Sequence, residues 1–280
     1  MSTLKDSTVL VKLSLGKFTP YAFDEGATHS VELAAGVSRA GRFNKHLMKD
    51  SSRVKETNAK FAAVYGFLMQ NTLPWTDTGL RMLPSDKYFQ FSQDVRTLMV
   101  EAENAADSLA QDWAQEVQRD MARLGPLARA EDYPPDVRVC YYARVQFYPV
   151  PDVADFRVEI SDEDKAELEA ALQATENKIP KYLAELVKVP LEALAKKCDA
   201  YTGAKGERWH DSMVGNVWEM AQRMRDLNVS KDSRIDTLAD EVMDILQPYM
   251  LDKEILKTDA LEREVVRRCV NDLIKSAEGI

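Results

Sequence analysis

The sequence predicts an α+β fold, predominantly α-helical, in which long helices accompany a small antiparallel sheet. Three features carry this reading. Val95, Leu98, Ala102, Ala105, Leu109, Trp113, Val117, Met121 and Leu124 form one apolar stripe, spaced at the ~3.6 residues of a straight α-helix rather than the ~3.5 of a heptad supercoil. A second helical region opens at Ser161, and three further helical periods follow it. Strand-forming aromatic and β-branched residues concentrate in two stretches, 7–14 and 133–160.

The first strand is expected at 7–14, where Val9, Val11 and Leu13 alternate with Leu10, Lys12 and Ser14, the pattern of a half-buried strand. Gly16, Pro20 and Gly26 punctuate a loop, and 28–35 suits a short helix. A helix over 54–69 would turn Val54, Phe61, Ala62, Tyr65, Leu68 and Met69 inward, with Asn58 weakening the same stripe. Pro74, Gly79 and Pro84 make 71–84 a loop or hairpin.

Ser85-Asp86 supplies side-chain oxygens for the free N–H groups at the start of the long helix. Gly125-Pro126 ends it, since glycine suits the left-handed cap and proline cannot continue. A short helix is expected from Pro135, then strands at 144–148 and 155–159 that pair with the first strand.

Ser161-Asp162-Glu163-Asp164 begins the second helical region, with acids where the helix dipole favours them. Its apolar residues run through Leu168, Leu172, Ile179, Leu183, Leu186, Leu191, Leu194, Cys198 and Tyr201. Pro180 and Pro190 should bend or divide it. Helices follow over 209–227, 232–246 and 259–276, the last with Leu261, Val265, Cys269 and Leu273 as its apolar side. Two halves are expected, 1–160 and 161–280, or one continuous domain.

Composition narrows the function classes. The 280 residues are 45% hydrophobic and 30% charged, an ordinary globular balance. Cys140, Cys198 and Cys269 are odd in number and scattered, which suits buried thiols in a reducing compartment. No apolar run approaches the ~20 residues that span a bilayer, and the start of the chain lacks a signal-peptide core. The expectation is a cytoplasmic protein with no membrane partner. Asn228-Val229-Ser230 matches a glycosylation sequon that has no export context.

Net charge is -9, which is not the electrostatic footprint of a nucleic-acid binder. The segment 39–60 is the exception. Its seven basic residues, Arg39, Arg42, Lys45, Lys49, Arg53, Lys55 and Lys60, oppose only Asp50 and Glu56, a local net charge of +5. Arg138, Tyr141, Tyr142, Arg144 and Phe147 add a basic–aromatic mixture that could stack on bases or simply cover a sheet. The candidate binding surface is therefore Arg39, Arg42, Lys45, Lys49, Arg53, Arg138, Tyr141, Tyr142 and Arg144. Met213, Trp218, Met220 and Met224 form a Met-rich stretch, adaptable if exposed and core by default.

Catalytic patterns are missing. Gly203-Ala204-Lys205-Gly206-Glu207 lacks P-loop spacing, and its glutamate would repel phosphate. There is no dinucleotide-binding glycine fingerprint, no HExxH and no GxSxG elbow. His29, His46 and His210 have no metal-ligand spacing to another His or Cys. Glu101, Glu103, Asp107, Asp112, Glu116 and Asp120 read as a solvated helix face. No catalytic residue, cofactor or metal site is expected. An enzyme whose site assembles only in three dimensions, around Cys140 or His210, is a third reading.

The order of elements carries a resemblance. Val9-Leu10-Val11-Lys12-Leu13 leads to a basic helix ending at Gly66-Phe67-Leu68, a loop ending at Leu83-Pro84, and a long helix carrying Trp113. Tyr133-Pro134-Pro135-Asp136-Val137-Arg138 and Arg144-Val145-Gln146-Phe147 follow, then Asp211-Ser212-Met213-Val214-Gly215-Asn216-Val217-Trp218 and Leu227-Asn228-Val229. This resembles a bacterial and phage domain family of unknown function. Its genes often neighbour MoxR- or CobS-type AAA+ ATPases and von Willebrand A proteins. The resemblance implies a non-enzymatic interaction or assembly protein, phage or mobile-element encoded, working in the bacterial cytoplasm with an AAA+ ATPase partner or by self-association. The alternative is a nucleic-acid-associated protein that binds through 39–60.

Overall fold

The computed structural model describes residues 4–75, 79–151 and 161–280. It is an α+β structure dominated by helices. Along the chain run α1 (Leu4–Ser7), β1 (Thr8–Gly16), β2 (Tyr21–Phe23), α2 (Glu25–Ala35), β3 (Asn44–His46), α3 (Ser52–Asn71), β4 (Leu73–Pro74), β5 (Leu80–Pro84), α4 (Tyr88–Leu124), β6 (Tyr142–Pro149), α5 (Asp162–Ala200), α6 (Ser212–Asp226), α7 (Ser233–Leu251), α8 (Ile255–Thr258) and α9 (Ala260–Glu278). A small antiparallel sheet has the order β4-β5-β1-β6, and β2 with β3 forms a separate two-stranded ribbon. The strand expected at 155–159 lies outside the described residues.

The chain divides into two compact units, and the division is not at residue 160. One unit comprises Met1–Val11, Gln70–Tyr88 and Phe147–Ile280; the other comprises Lys12–Met69 and Phe89–Gln146. Their boundaries run within β1, near the end of α3, at the start of α4 and within β6.

The first unit has a helical core. α5 packs on α6 and α9, and α6 on α7. Leu183, Val187, Leu191 and Leu194 of α5 meet Val217 and Met224 of α6, Leu238 and Val242 of α7, and Val266 and Val270 of α9 in one buried cluster. Leu4, Leu10, Leu73 and Met82 join it from the sheet side. Ser161 caps α5 by accepting from the Asp164 N–H at 3.0 Å, with three acids in the first turn.

Two sequence expectations change here. α5 is neither broken nor divided at Pro180 or Pro190. Each proline removes one backbone donor, but flanking residues Leu183, Val187, Leu191 and Leu194 are fully buried and hold the helix through both. In α9 the buried side is Val266, Val270, Leu273 and Ala277 with Arg263, while Leu261 and Val265 are exposed. The cause is Arg263. Its guanidinium donates to the Leu256 and Lys257 carbonyls at 3.1 and 3.2 Å, groups freed at the end of α8, and it also lies over the Tyr201 ring. That inward anchor turns the 261–265 side out.

The second unit is built on α3 and α4. α3 buries Val54, Thr57, Phe61, Val64 and Leu68, a regular helical spacing. Thr57 and Val64 replace the expected Ala62 and Tyr65, which are exposed. α4 buries Phe91, Val95, Ala102, Ala106, Leu109 and Trp113, close to the expected stripe. Beyond Trp113 the buried positions are Glu116 and Asp120, whereas Val117 and Met121 are only half-buried. Those two acids are not on a solvated face. The Trp113 indole donates to the Pro134 carbonyl at 2.8 Å, and its ring meets Phe18 and Tyr133 edge-on.

Candidate functional site

The segment from Tyr21 to Met48 forms an arm of the second unit. Asp24 ends β2 and caps α2, its carboxylate accepting from the Ala27 N–H at 2.8 Å. Gly36, at φ 64°, closes α2 in the left-handed conformation that glycine adopts without a Cβ penalty. The chain then returns as β3, antiparallel to β2, with Tyr21 opposite His46, Ala22 opposite Lys45 and Phe23 opposite Asn44.

Lys45 anchors the base of this arm. Its side chain is fully buried, and its ammonium lies 3.0 Å from Asp24, 2.5 Å from Asp132 and 3.1 Å from the Leu127 carbonyl. Burial acts to lower the Lys45 pKa, but the hydrogen bonds and charges of Asp132 and Asp24 outweigh it and raise the pKa. The Ala27 N–H, and then Lys45, hold the Asp24 carboxyl below its ordinary range.

α2 has its polar side turned inward. Thr28 donates to the Asp24 carbonyl at 2.7 Å and accepts from the Phe43 N–H at 2.9 Å. Glu32 accepts from the Arg39 N–H at 2.6 Å. No residue of α2 is buried. Val31, Leu33 and Val37 are 59%, 69% and 52% exposed, and Tyr21, Phe23 and Phe43 are exposed on the same arm. An apolar surface that a helix normally covers with its own core here faces outward.

A second polar cluster lies at the end of α4. Asp120 accepts from the Met48 N–H at 2.8 Å, the Tyr133 hydroxyl at 2.7 Å and Arg123 at 2.8 Å. Burial, and then this hydrogen bond, push the Tyr133 pKa upward. Glu116 accepts from Arg119 at 2.8 Å. Glu116, Arg119, Asp120 and Arg123 line a cleft of ≈ 210 Å³ with Met48, Asp50, Ser51 and Ser52. Its carboxylates face arginines and backbone donors, so the arrangement fixes the Met48 turn and supplies no activated nucleophile.

The expected binding residues separate into four groups. Arg39, Arg42 and Lys49 are exposed on or next to the arm, with the Arg42 guanidinium 4.4 Å from the Phe23 ring centre. Arg53 pairs with Asp112, and Arg138 pairs with Asp107 and donates to the Tyr141 carbonyl. Lys45 and Tyr141 are not surface residues. Tyr141 is buried against Phe61, donates to Asn58 at 2.9 Å, and has its pKa pushed up by burial. Tyr142 and Arg144 remain exposed, and the Tyr142 ring lies over Gly16, where a Cβ would stand 2.4 Å from Cε1.

Cys198 is pushed up to about 11 by burial, and burial also raises Cys140. His210 is exposed. Among the described residues no group of three or more His, Cys, Asp or Glu could hold a metal ion, and no helix is long and apolar enough to cross a membrane. The sequence reading missed the outward face of α2 and the acids Asp24, Asp132 and Asp120. Asp24 before Glu25 was a readable cap signal. Compared with protein-family models, curated proteins and solved structures, the chain matches none.

Proposed function

We propose that this protein is a non-enzymatic interaction or assembly protein that binds a protein partner through the outward face of α2. One observation carries the reading: α2 buries none of its residues while exposing Val31 and Leu33, and Val37 just past its Gly36 cap is exposed too. An 11-residue helix is marginal in water without packing, and the arm as a whole exposes Tyr21, Phe23, Val31, Leu33, Val37 and Phe43, apolar surface of the kind that interaction sites carry. The AAA+ ATPase partner and the phage or mobile-element origin rest on the sequence resemblance alone. The nucleic-acid reading is weakened because Lys45 and Arg53 are engaged by carboxylates, leaving Arg39, Arg42, Lys49 and Lys55 of the segment, with Arg144, as its exposed cations.

The test is capture of tagged protein from its native host, with and without nuclease. A protein partner that persists after nuclease supports the proposal. Recovery of nucleic acid alone replaces it with binding through 39–60, which should then weaken steeply with salt.

A further inference from the structure

We infer that the first unit binds a small aromatic carboxylate in a cleft between α5 and the β4–β5 hairpin, an inference that does not depend on the α2 reading. The cleft has a volume of ≈ 240 Å³. Leu73 of β4 and Met82 of β5 stand opposite each other in register, and with Ile179 of α5 they form its buried apolar floor. Thr175, Lys178, Ile179 and Tyr182 are spaced three, one and three residues apart, so a single face of α5 supplies one wall. Trp75 lines the hairpin side, its backbone N–H donating to the Leu80 carbonyl at 3.0 Å.

The lining defines the ligand. Above the apolar floor stand two partly exposed rings, Trp75 and Tyr182, and such rings gain from edge-to-face or offset contact with another ring. A dry cavity of ~150 Å³ holds one benzene, and drug-sized ligands occupy ~300 Å³ or more. A cleft of ≈ 240 Å³ therefore suits one ring with a short tail. Charge complementarity sets the chemistry of that tail. Among the described lining residues Lys178 alone carries a charge. The Thr175 hydroxyl is already used, donating to the Ala171 carbonyl at 2.9 Å. Lys178 is exposed, so its stem covers apolar surface while its ammonium meets an anion at the mouth of the cleft. A single cation matches a monoanionic carboxylate; a phosphate dianion calls for more donors than this lining offers.

Ligand-observed NMR titrations with phenylpropionate, phenylpropylamine and cyclohexylpropionate test this. Phenylpropionate should bind saturably, with a dissociation constant on the order of 1 mM or below. The amine, which has the same ring, should bind at least about fivefold more weakly, the ratio that an exposed charge pair supports. The cyclohexyl acid should bind about threefold or more weakly, having lost its aromatic contacts. Lys178→Glu should invert the order of acid and amine, a reversal that damage to the fold would not produce. Lys178 is exposed, so circular dichroism should show the variant folded. Trp75→Ala should weaken acid and amine alike. Absence of saturable phenylpropionate binding, equal binding of acid and amine, or an order unchanged by Lys178→Glu overturns the inference. Equal binding of the phenyl and cyclohexyl acids overturns the assignment of an aromatic ligand.

Discussion

Lys45 and Asp24 form a buried ion pair, 3.0 Å from ammonium to carboxylate, at the base of an arm whose tip buries nothing. The strength of that base is directly measurable. Replacing Lys45 by Met leaves Asp24 and Asp132 without their shared cation, and removing one partner of a buried pair costs on the order of 3 kcal/mol. Urea denaturation should show this loss. A value inside ~0.5 kcal/mol would mean that the arm is held by something else.

The same pair dictates a pH dependence. Asp24 is held below its ordinary value of 3.8, so its contribution is present above that pH and is lost as pH falls through the lower folded value. Lys45 is raised above 10.5, so its contribution is complete below that pH and is lost as pH rises through the higher folded value. The wild-type minus Lys45→Met stability difference should therefore be flat near neutrality and shrink at both extremes. A difference that grows toward acid would contradict the assignment.

Tyr133→Phe removes the hydroxyl that donates to buried Asp120. The loss should be about 1–2 kcal/mol, without change in secondary structure. Asp120→Ala should cost more, because the Met48 N–H and Arg123 lose their acceptor together with Tyr133. Equal effects of the two substitutions would show that Asp120 acts only through the tyrosine.

α9 offers a contrast between two residues of its expected apolar stripe, Leu273 and Leu261. Leu273→Ala opens a core position and should cost about 2–5 kcal/mol. Leu261→Ala touches an exposed side chain and should fall within ~0.5 kcal/mol. Thermal unfolding of both variants checks the rotation that Arg263 imposes; comparable losses at Leu261 and Leu273 would restore the stripe expected from sequence, which held both.

These contrasts show which parts of the structure were legible in the sequence. The long helices were, because Val95 to Trp113 repeat with the helical period and because Ser161 and Gly125 mark ends by local chemistry. The rotation of α9 was not, because two stripes compete and Arg263 decides between them through carbonyls in the preceding turn. Lys45 read as a surface cation because its partners Asp24 and Asp132 meet it only in the folded chain. Glu116 and Asp120 read as solvated for the same reason: Met48 and Arg123 enclose Asp120 together with Tyr133. The division allowed for at Pro180 and Pro190 is absent because packing on Leu183 to Leu194 outweighs two missing backbone donors. The two outermost cations of the expected site, Arg39 and Arg42, were legible as exposed, but not the apolar helix beside them.

The most direct measurement is nuclease-treated capture from the native host with wild type and Leu33→Asp side by side. Leu33 is exposed, so the variant should melt as wild type does, within ~0.5 kcal/mol. Loss of the captured protein partner from Leu33→Asp, with folding intact, is the predicted result. Recovery of the same partner in the same amount from both proteins would contradict the claim that α2 is the interaction surface.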